Sequence, residues 1–250
     1  MSLPASFLER PIAHRGLHNR EKGIVENSRD AFKAAIDHGY GIECDLQLSH
    51  DGEAMVFHDY DMARLTGQPG PIQMRGSDDL AAVQLTDSQN RIEPLHALLD
   101  LVAGRVPLLI ELKDQDGAMG PNIGQLEERV GLILSSYKGP AALMSFNPHS
   151  TRRLTQLCPD RPCGIVTSAY DPDDWNLSPK TCDHLREIPD FDESGACFIS
   201  HEASDLARPL VAEIKAQGAP VLCWTIRSQS EADAALNYAD NITFEGYLPT

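Results

Sequence analysis

Eight apolar, strand-like runs alternate with amphipathic stretches along 250 residues, and three of the runs end in charged side chains. That alternation predicts an α/β fold, a TIM or (β/α)8 barrel, because strands separated by helical segments pair in parallel and eight of them close on themselves. The charged ends agree, since catalytic groups of such barrels come from the C-terminal ends of several strands around one mouth. Neither a GxGxxG nor a GxxxxGK(S/T) stands where a doubly wound nucleotide fold would carry it.

The first candidate strand, 11–14, reads Pro-Ile-Ala-His and runs into Arg15 and a turn-permitting Gly16. Asn27 or Ser28 suits the cap of a helix over 28–38, and Glu26 just before it is a candidate site residue. In the second strand, 40–48, Ile42, Cys44, Leu46 and Leu48 alternate with Glu43, Asp45 and Gln47. A period of two puts the carboxylates of Glu43 and Asp45 on one face and turns Cys44 to the other. Asp51-Gly52 signals a hairpin turn, and Glu53 to His58 reads as the returning strand, which delivers His58 to the two acids. The segment 59–93 holds Gly67, Pro69, Gly70 and Pro71 and a short possible helix near 78–83. It reads as a small insertion after the second strand, and an excursion that long is seldom idle. Helices are then expected over 94–103, 123–137, 148–157, 173–186, 203–217 and 229–238. They alternate with strands over 106–113, 141–146, 162–167, 196–200, 220–226 and 241–245. The strand VPLLIELK carries Glu111 and Lys113, again at i and i+2. The eighth strand has no helix after it. No linker, repeat or shift of composition divides the chain, so residues 1–250 read as one domain.

Pooled at one mouth, the strand ends offer Glu43, Asp45 and Glu111 as oxygen donors, His14 and His58 as proton carriers, and Arg15 and Lys113 as fixed cations. The three acids include no cationic residue to neutralise them. Carboxylate oxygens without thiolates or clustered histidines suit Mg2+ or Ca2+ better than zinc. An arginine and a lysine beside such an ion suit a phosphate group, and histidine is the side chain that moves protons near neutrality. Phosphate-ester chemistry follows. His18 forms H-x-x-x-H with His14, but the intervening Gly16 and turn speak against a zinc-binding helix.

In order, His14-Arg15-Gly16, Glu26-Asn27, Glu43-x-Asp45, Asp51-Gly52, His58-Asp59, Glu111-x-Lys113 and Trp224-Thr225 resemble the signature of glycerophosphodiester phosphodiesterases, from about residue 11 to the end. The resemblance implies a TIM barrel whose small insertion covers part of the mouth. It also implies a divalent metal on Glu43, Asp45 and Glu111, and catalytic histidines at His14 and His58. The implied activity is cleavage of glycerophosphodiesters to sn-glycerol 3-phosphate and an alcohol. Trp224 is then expected at the mouth, with its ring against the glycerol. One departure stands out: members commonly end the last strand with Thr-Asp-x-Pro, whereas here Thr243 is followed by Phe244 and Glu245, with Pro249 further on.

Composition narrows the partners. With 21 basic against 37 acidic side chains, the formal charge is −16, which disfavours nucleic acid and anionic membrane surfaces. A phosphodiester is also an anion, so its attraction must be local. No basic start followed by an apolar run marks a signal peptide, and no stretch reaches the roughly 20 apolar residues of a membrane span. A cytoplasmic protein without a membrane anchor is expected. Its six scattered cysteines read as buried thiols. Two rivals share the scaffold: a lysophospholipase D or sphingomyelinase D type acting on lipid, and a non-catalytic phosphate-ligand binder.

Overall fold

The computed structural model describes residues 1–249; Thr250, the last residue of the expected domain, lies outside them. The strands are β1 (Ile12–Ala13), β2 (Gly41–Leu48), β3 (Ala54–Val56), β4 (Glu93–Pro94), β5 (Leu108–Leu112), β6 (Ala141–Ser145), β7 (Cys163–Thr167), β8 (Phe198–Glu202), β9 (Val221–Ile226) and β10 (Asn241–Phe244). The α-helices are α1 (Arg29–His38), α2 (Ala63–Thr66), α3 (Ser77–Ala82), α4 (Leu95–Val102), α5 (Gln125–Leu134), α6 (Pro148–Leu157), α7 (Pro179–Arg186), α8 (Phe191–Ser194), α9 (Pro209–Ala216) and α10 (Gln229–Ala235).

Among the described residues, β1, β2, β5, β6, β7, β8, β9 and β10 run parallel in that order, and β10 pairs back onto β1. The sheet is therefore a closed (β/α)8 barrel. Its seam is short: Ile12 and Ala13 face Thr243 and Phe244 on one side and Gly41 and Ile42 on the other. Outside the ring, β3 returns antiparallel on β2, and β4 antiparallel on β3.

Alternation along each strand sorts two cores. Ile42, Cys44, Leu46, Leu108, Ile110, Leu112, Leu143, Val221, Cys223, Ile242 and Phe244 belong to one buried cluster with Phe32 and Ala35 of α1, Leu98 and Val102 of α4 and Val130 of α5. This is the layer between barrel and helices, and it takes Cys44 as its parity requires. Ile12, Leu109, Ala142, Met144, Val166, Phe198 and Leu222 form a second cluster inside the barrel. Most of these lie near the N-terminal ends of their strands. Leu3 and Phe7 join them there from a 3-10 turn, Ala5–Phe7, and the residues before it. Asn241 pins that segment, its Nδ2 donating to the carbonyls of Phe7 and Arg10 at 2.7 Å each. Gly164 makes room for the same core, because a Cβ there would lie 2.4 Å from the Phe198 ring. The same inward parity, further towards the C-terminal ends, is left to Glu43, Asp45, Glu111 and Lys113.

Helix boundaries follow their caps. Ser28 Oγ accepts from the Ala31 N–H, and Gly39, at φ 72°, ends α1 in the left-handed conformation. Two expected helices start later than the periodicity indicates. Over 173–186 only α7 is helical, since Ser178 caps it and Pro179 takes the first position. Over 203–217 a 3-10 turn at Ala203–Asp205 precedes α9, which again opens on a proline, Pro209. The insertion packs a small core of its own, with Met55, Phe57, Met62, Leu65, Ile72, Leu80 and Ile92 buried together. That core anchors α2 and the residues before it at the barrel mouth.

Candidate active site

The loop after β1 is built for close approach. Arg15 and Gly16 have φ of 54° and 78°, and a Cβ on Gly16 would meet Ala31 at 2.9 Å, so only glycine fits against α1. The left-handed turn at Arg15 aims its N–H at Glu43 Oε2, 2.9 Å away. Asn27, also left-handed at φ 53°, donates its backbone N–H to Arg15 O and its Nδ2 to Asp45 Oδ2 at 2.8 Å. Its side chain thus braces a buried acid, while Ser28 takes the cap.

The strand β2 and its hairpin set the rest. Ser49 N–H donates to Glu53 O and Gly52 N–H to Ser49 O, closing the turn at Asp51-Gly52. Phe57 N–H then donates to Asp45 O, and Gln47 Nε2 to His58 O at 3.0 Å. His58 arrives next to Asp45 as the hairpin requires. Glu43, Asp45 and Glu111 are all buried, and a carboxylate oxygen from each lies within 4.8 Å of the others.

Lys113 corrects one expectation, that no cation stands among these acids. It follows Glu111 on the same face, and its ammonium folds back to lie 2.7 Å from Asp45 Oδ1 and 2.5 Å from Glu111 Oε1. Arg15 Nε is 3.3 Å from Asp45 Oδ2. Burial pushes the Asp45 carboxyl up, but Lys113, His58, Arg15 and His14 outweigh it and hold the group well below the carboxylate range. Glu43 is the carboxylate left over. Burial, reinforced by Asp45 and Glu111, pushes its pKa well above normal, and its Oε1 is buried without a hydrogen-bond partner among the described residues. An unpaired buried carboxylate oxygen, two further carboxylates and no thiolate fit a hard divalent cation with oxygen ligands.

The two histidines share a construction. His14 Nδ1 lies 2.7 Å from Glu245 Oε2, with Nε2 4.0 Å from Glu43 Oε2. His58 Nδ1 lies 2.7 Å from Asp59 Oδ1. Burial lowers the His14 pKa against the opposing pull of Glu245. Asp59 is held below the carboxylate range, burial being outweighed by the His58 hydrogen bond and Arg64.

Both histidines, Arg15, Glu43, Glu111, Lys113 and Trp224 line one cavity of ≈ 850 Å³. Asp45 sits behind them under Lys113 and Arg15. Glu26 is not among the lining residues: its Oε1 takes Arg15 NH1 at 2.6 Å and Arg64 NH2 at 2.8 Å, so it stands behind Arg15. The opposite wall is apolar, with Met119, Met144, Phe146, Val166, Trp175 and Trp224. Trp224 Nε1 donates to Ser200 O at 3.0 Å, and its ring meets Phe146 edge-on at 5.5 Å. Phe146 in turn contacts Trp175 at 5.1 Å. Sequence reasoning left Trp175 without a role; Pro172 and Ser178-Pro179, read as breakers, would have released it from the expected helix. It likewise passed over Arg64, which ties Asp59 to Glu26, and Arg227, which pairs with Glu245 at 2.8 Å. No sequence-local signal marks those partners.

The glycerophosphoryl diester phosphodiesterase family matches residues 14–241. YhdW of Bacillus subtilis (strain 168), provisionally named a glycerophosphodiester phosphodiesterase, is 27% identical over 230 residues, 88% of this chain and 87% of its own. A glycerophosphodiester phosphodiesterase of Caldanaerobacter subterraneus subsp. tengcongensis is 27% identical over 177 residues, 67% of this chain and 70% of its own. Among solved structures, an Oleispira antarctica phosphodiesterase in complex with the product sn-glycerol-3-phosphate superposes with a TM-score of 0.77 at 24% identity, over 96% of this chain and 94% of that one. Likeness at that identity establishes the barrel; the match over residues 14–241 establishes more. The chain belongs to the glycerophosphoryl diester phosphodiesterase family, and its activity is that of a phosphoric diester hydrolase.

Proposed function

We propose that the protein cleaves glycerophosphodiesters to sn-glycerol 3-phosphate and an alcohol, using a divalent cation, Mg2+ or Ca2+, and His14 and His58 as an acid–base pair. One observation carries the reading: both histidines line the cavity that Glu43, Glu111 and Lys113 also line. The Oleispira phosphodiesterase, solved with sn-glycerol-3-phosphate as its product, supports the product named here.

Glu43, Asp45 and Glu111 would hold the cation, which when bound supplies positive charge to the phosphoryl oxygens. Arg15 and Lys113 add fixed charge at the same wall, and Glu26 keeps Arg15 in place. One histidine takes the proton of the attacking hydroxyl, from water or the substrate's own glycerol, while the other protonates the departing alkoxide. We assign the second task to His58. The wall of Phe146, Trp175 and Trp224 packs against the organic part of the substrate. Hydrolysis of a lysophospholipid is the second reading, and that apolar wall is the observation favouring it.

A panel of deacylated glycerophosphodiesters and lysophospholipids, followed by release of phosphate products, tests both. EDTA should abolish turnover, and Mg2+ or Ca2+ should restore it. Full activity in protein shown by elemental analysis to be metal-free would sink the proposed cation site. Preference for the lipids in kcat/KM would move the enzyme to the second reading.

A further inference from the structure

A histidine that moves protons needs a defined ring orientation and a defined tautomer, because only one nitrogen can face the substrate. His14 meets that need through the far end of the chain. Barrel closure pairs Ala13 with Phe244, and His14 N–H donates to Phe244 O at 2.9 Å. Phe244 faces the outer core, so the next residue, Glu245, turns to the mouth beside His14. Its Oε2 lies 2.7 Å from Nδ1. An ionised carboxylate only accepts hydrogen bonds, so Nδ1 must carry the proton, which leaves Nε2 free on the cavity side.

We infer that Glu245 is the positioning residue of His14, locking the imidazole as the Nδ1–H form with Nε2 presented to the substrate. The inference rests on the reading of His14 as one of the acid–base pair. Glu245 is itself fixed. Its N–H donates to Ile226 O at 3.0 Å, its Oε1 takes Arg227 NH2 at 2.8 Å, and His18 Nε2 stands 3.6 Å from Oε2. The independent observation is repetition. His58 has its own Nδ1 on a carboxylate, Asp59, and that carboxylate is again clamped by an arginine, Arg64. For His58 the carboxylate is the next residue; for His14 it is 231 residues away. Two different routes through the chain arrive at one arrangement. A carboxylate present only to neutralise Arg227 and His18 would have no reason to reach Nδ1.

The test is a double-mutant cycle with sn-glycero-3-phosphoethanolamine and Mg2+. Glu245→Ala should lower kcat about 10- to 100-fold with KM within threefold. In the His14→Ala background the same change should cost less than twofold, since nothing remains to position. Glu245→Gln, equal in size and still able to accept at its oxygen, should lose about threefold to tenfold in the wild-type background and nothing beyond twofold with His14→Ala. It carries the cycle should Glu245→Ala fail to fold. A second readout needs no turnover: the 15N shifts of the His14 ring should report Nδ1–H in the wild type and move towards Nε2–H in Glu245→Ala, where no acceptor remains. An equal loss in both backgrounds, or an unchanged tautomer in Glu245→Ala, overturns the assignment. Wild-type kcat in His14→Ala would instead sink the acid–base reading, and the ring shifts would then decide the positioning role by themselves.

Discussion

Each imidazole at the mouth has one nitrogen committed to a carboxylate and the other turned to the cavity, so removing either ring should act on chemistry more than on folding. His14→Ala and His58→Ala are expected to lower kcat by about 10²–10⁴-fold, with urea midpoints close to the wild type. A substrate with an activated aryl leaving group scarcely needs protonation, and there the His58 variant should recover much of its rate while the His14 variant does not. Equal impairment of both on that substrate would refute the division of labour. At this scale the acids and histidines were legible because strand parity and one hairpin fix where they point. Their counter-ions were not. Lys113 reads as a fixed cation at the mouth, but that its ammonium lies on Asp45 and Glu111 does not show in the spacing, since side-chain length and rotamer decide where a lysine ends. Glu26 reads as a site residue, yet its guanidinium partners Arg15 and Arg64 come from two separate loops.

The element that most shapes the mouth is the insertion. Its helix α2 supplies Arg64, which grips Asp59 next to His58 and Glu26 behind Arg15, and so joins both halves of the polar wall. Burial pushes the Glu26 carboxyl up, but Arg64 and Arg15 prevail and bring it down to about 2 from an ordinary 4.5. A depressed carboxyl stabilises the fold above its unfolded pKa and stops doing so as pH falls through the folded one. Arg64 is substantially solvated, so screening keeps the contribution to about 1–2 kcal/mol. Glu26→Gln should therefore be less stable than the wild type at pH 7. The gap should narrow below about pH 4.5 and close near pH 2, read from urea melts at each pH. A gap of constant size would mean that the side chain acts through shape and not charge. The order of the eight barrel strands and the helices between them were readable from alternation, but α2 and α8, of four residues each, were too short to leave a period. The start of α7 was not readable either, because the apolar period runs on through Trp175, and only the serine–proline pair at 178–179 shows where the backbone can turn helical.

For the whole molecule, the net charge of −16 opposes an anionic substrate, and capture is left to the few cations at the mouth. On the proposed reading Arg15 and Lys113 hold the phosphate and the aromatic wall holds carbon, while other charged side chains at the cavity, Asp61, Asp114, Arg64 and Arg227, already have partners within the protein. Turnover of glycerophosphocholine, glycerophosphoethanolamine and similar diesters should therefore agree within about tenfold in kcat/KM, or roughly 1.4 kcal/mol of transition-state binding. A larger spread would require a dedicated head-group contact. The seal of Leu3 and Phe7 at the other end of the barrel has its own consequence. A stoppered tube is a cup, and everything that enters must back out through the same doorway. With the substrate seated as proposed, the alcohol, nearer the opening, would leave ahead of the glycerol phosphate lodged below it, and until the second product departed no fresh diester could take its place.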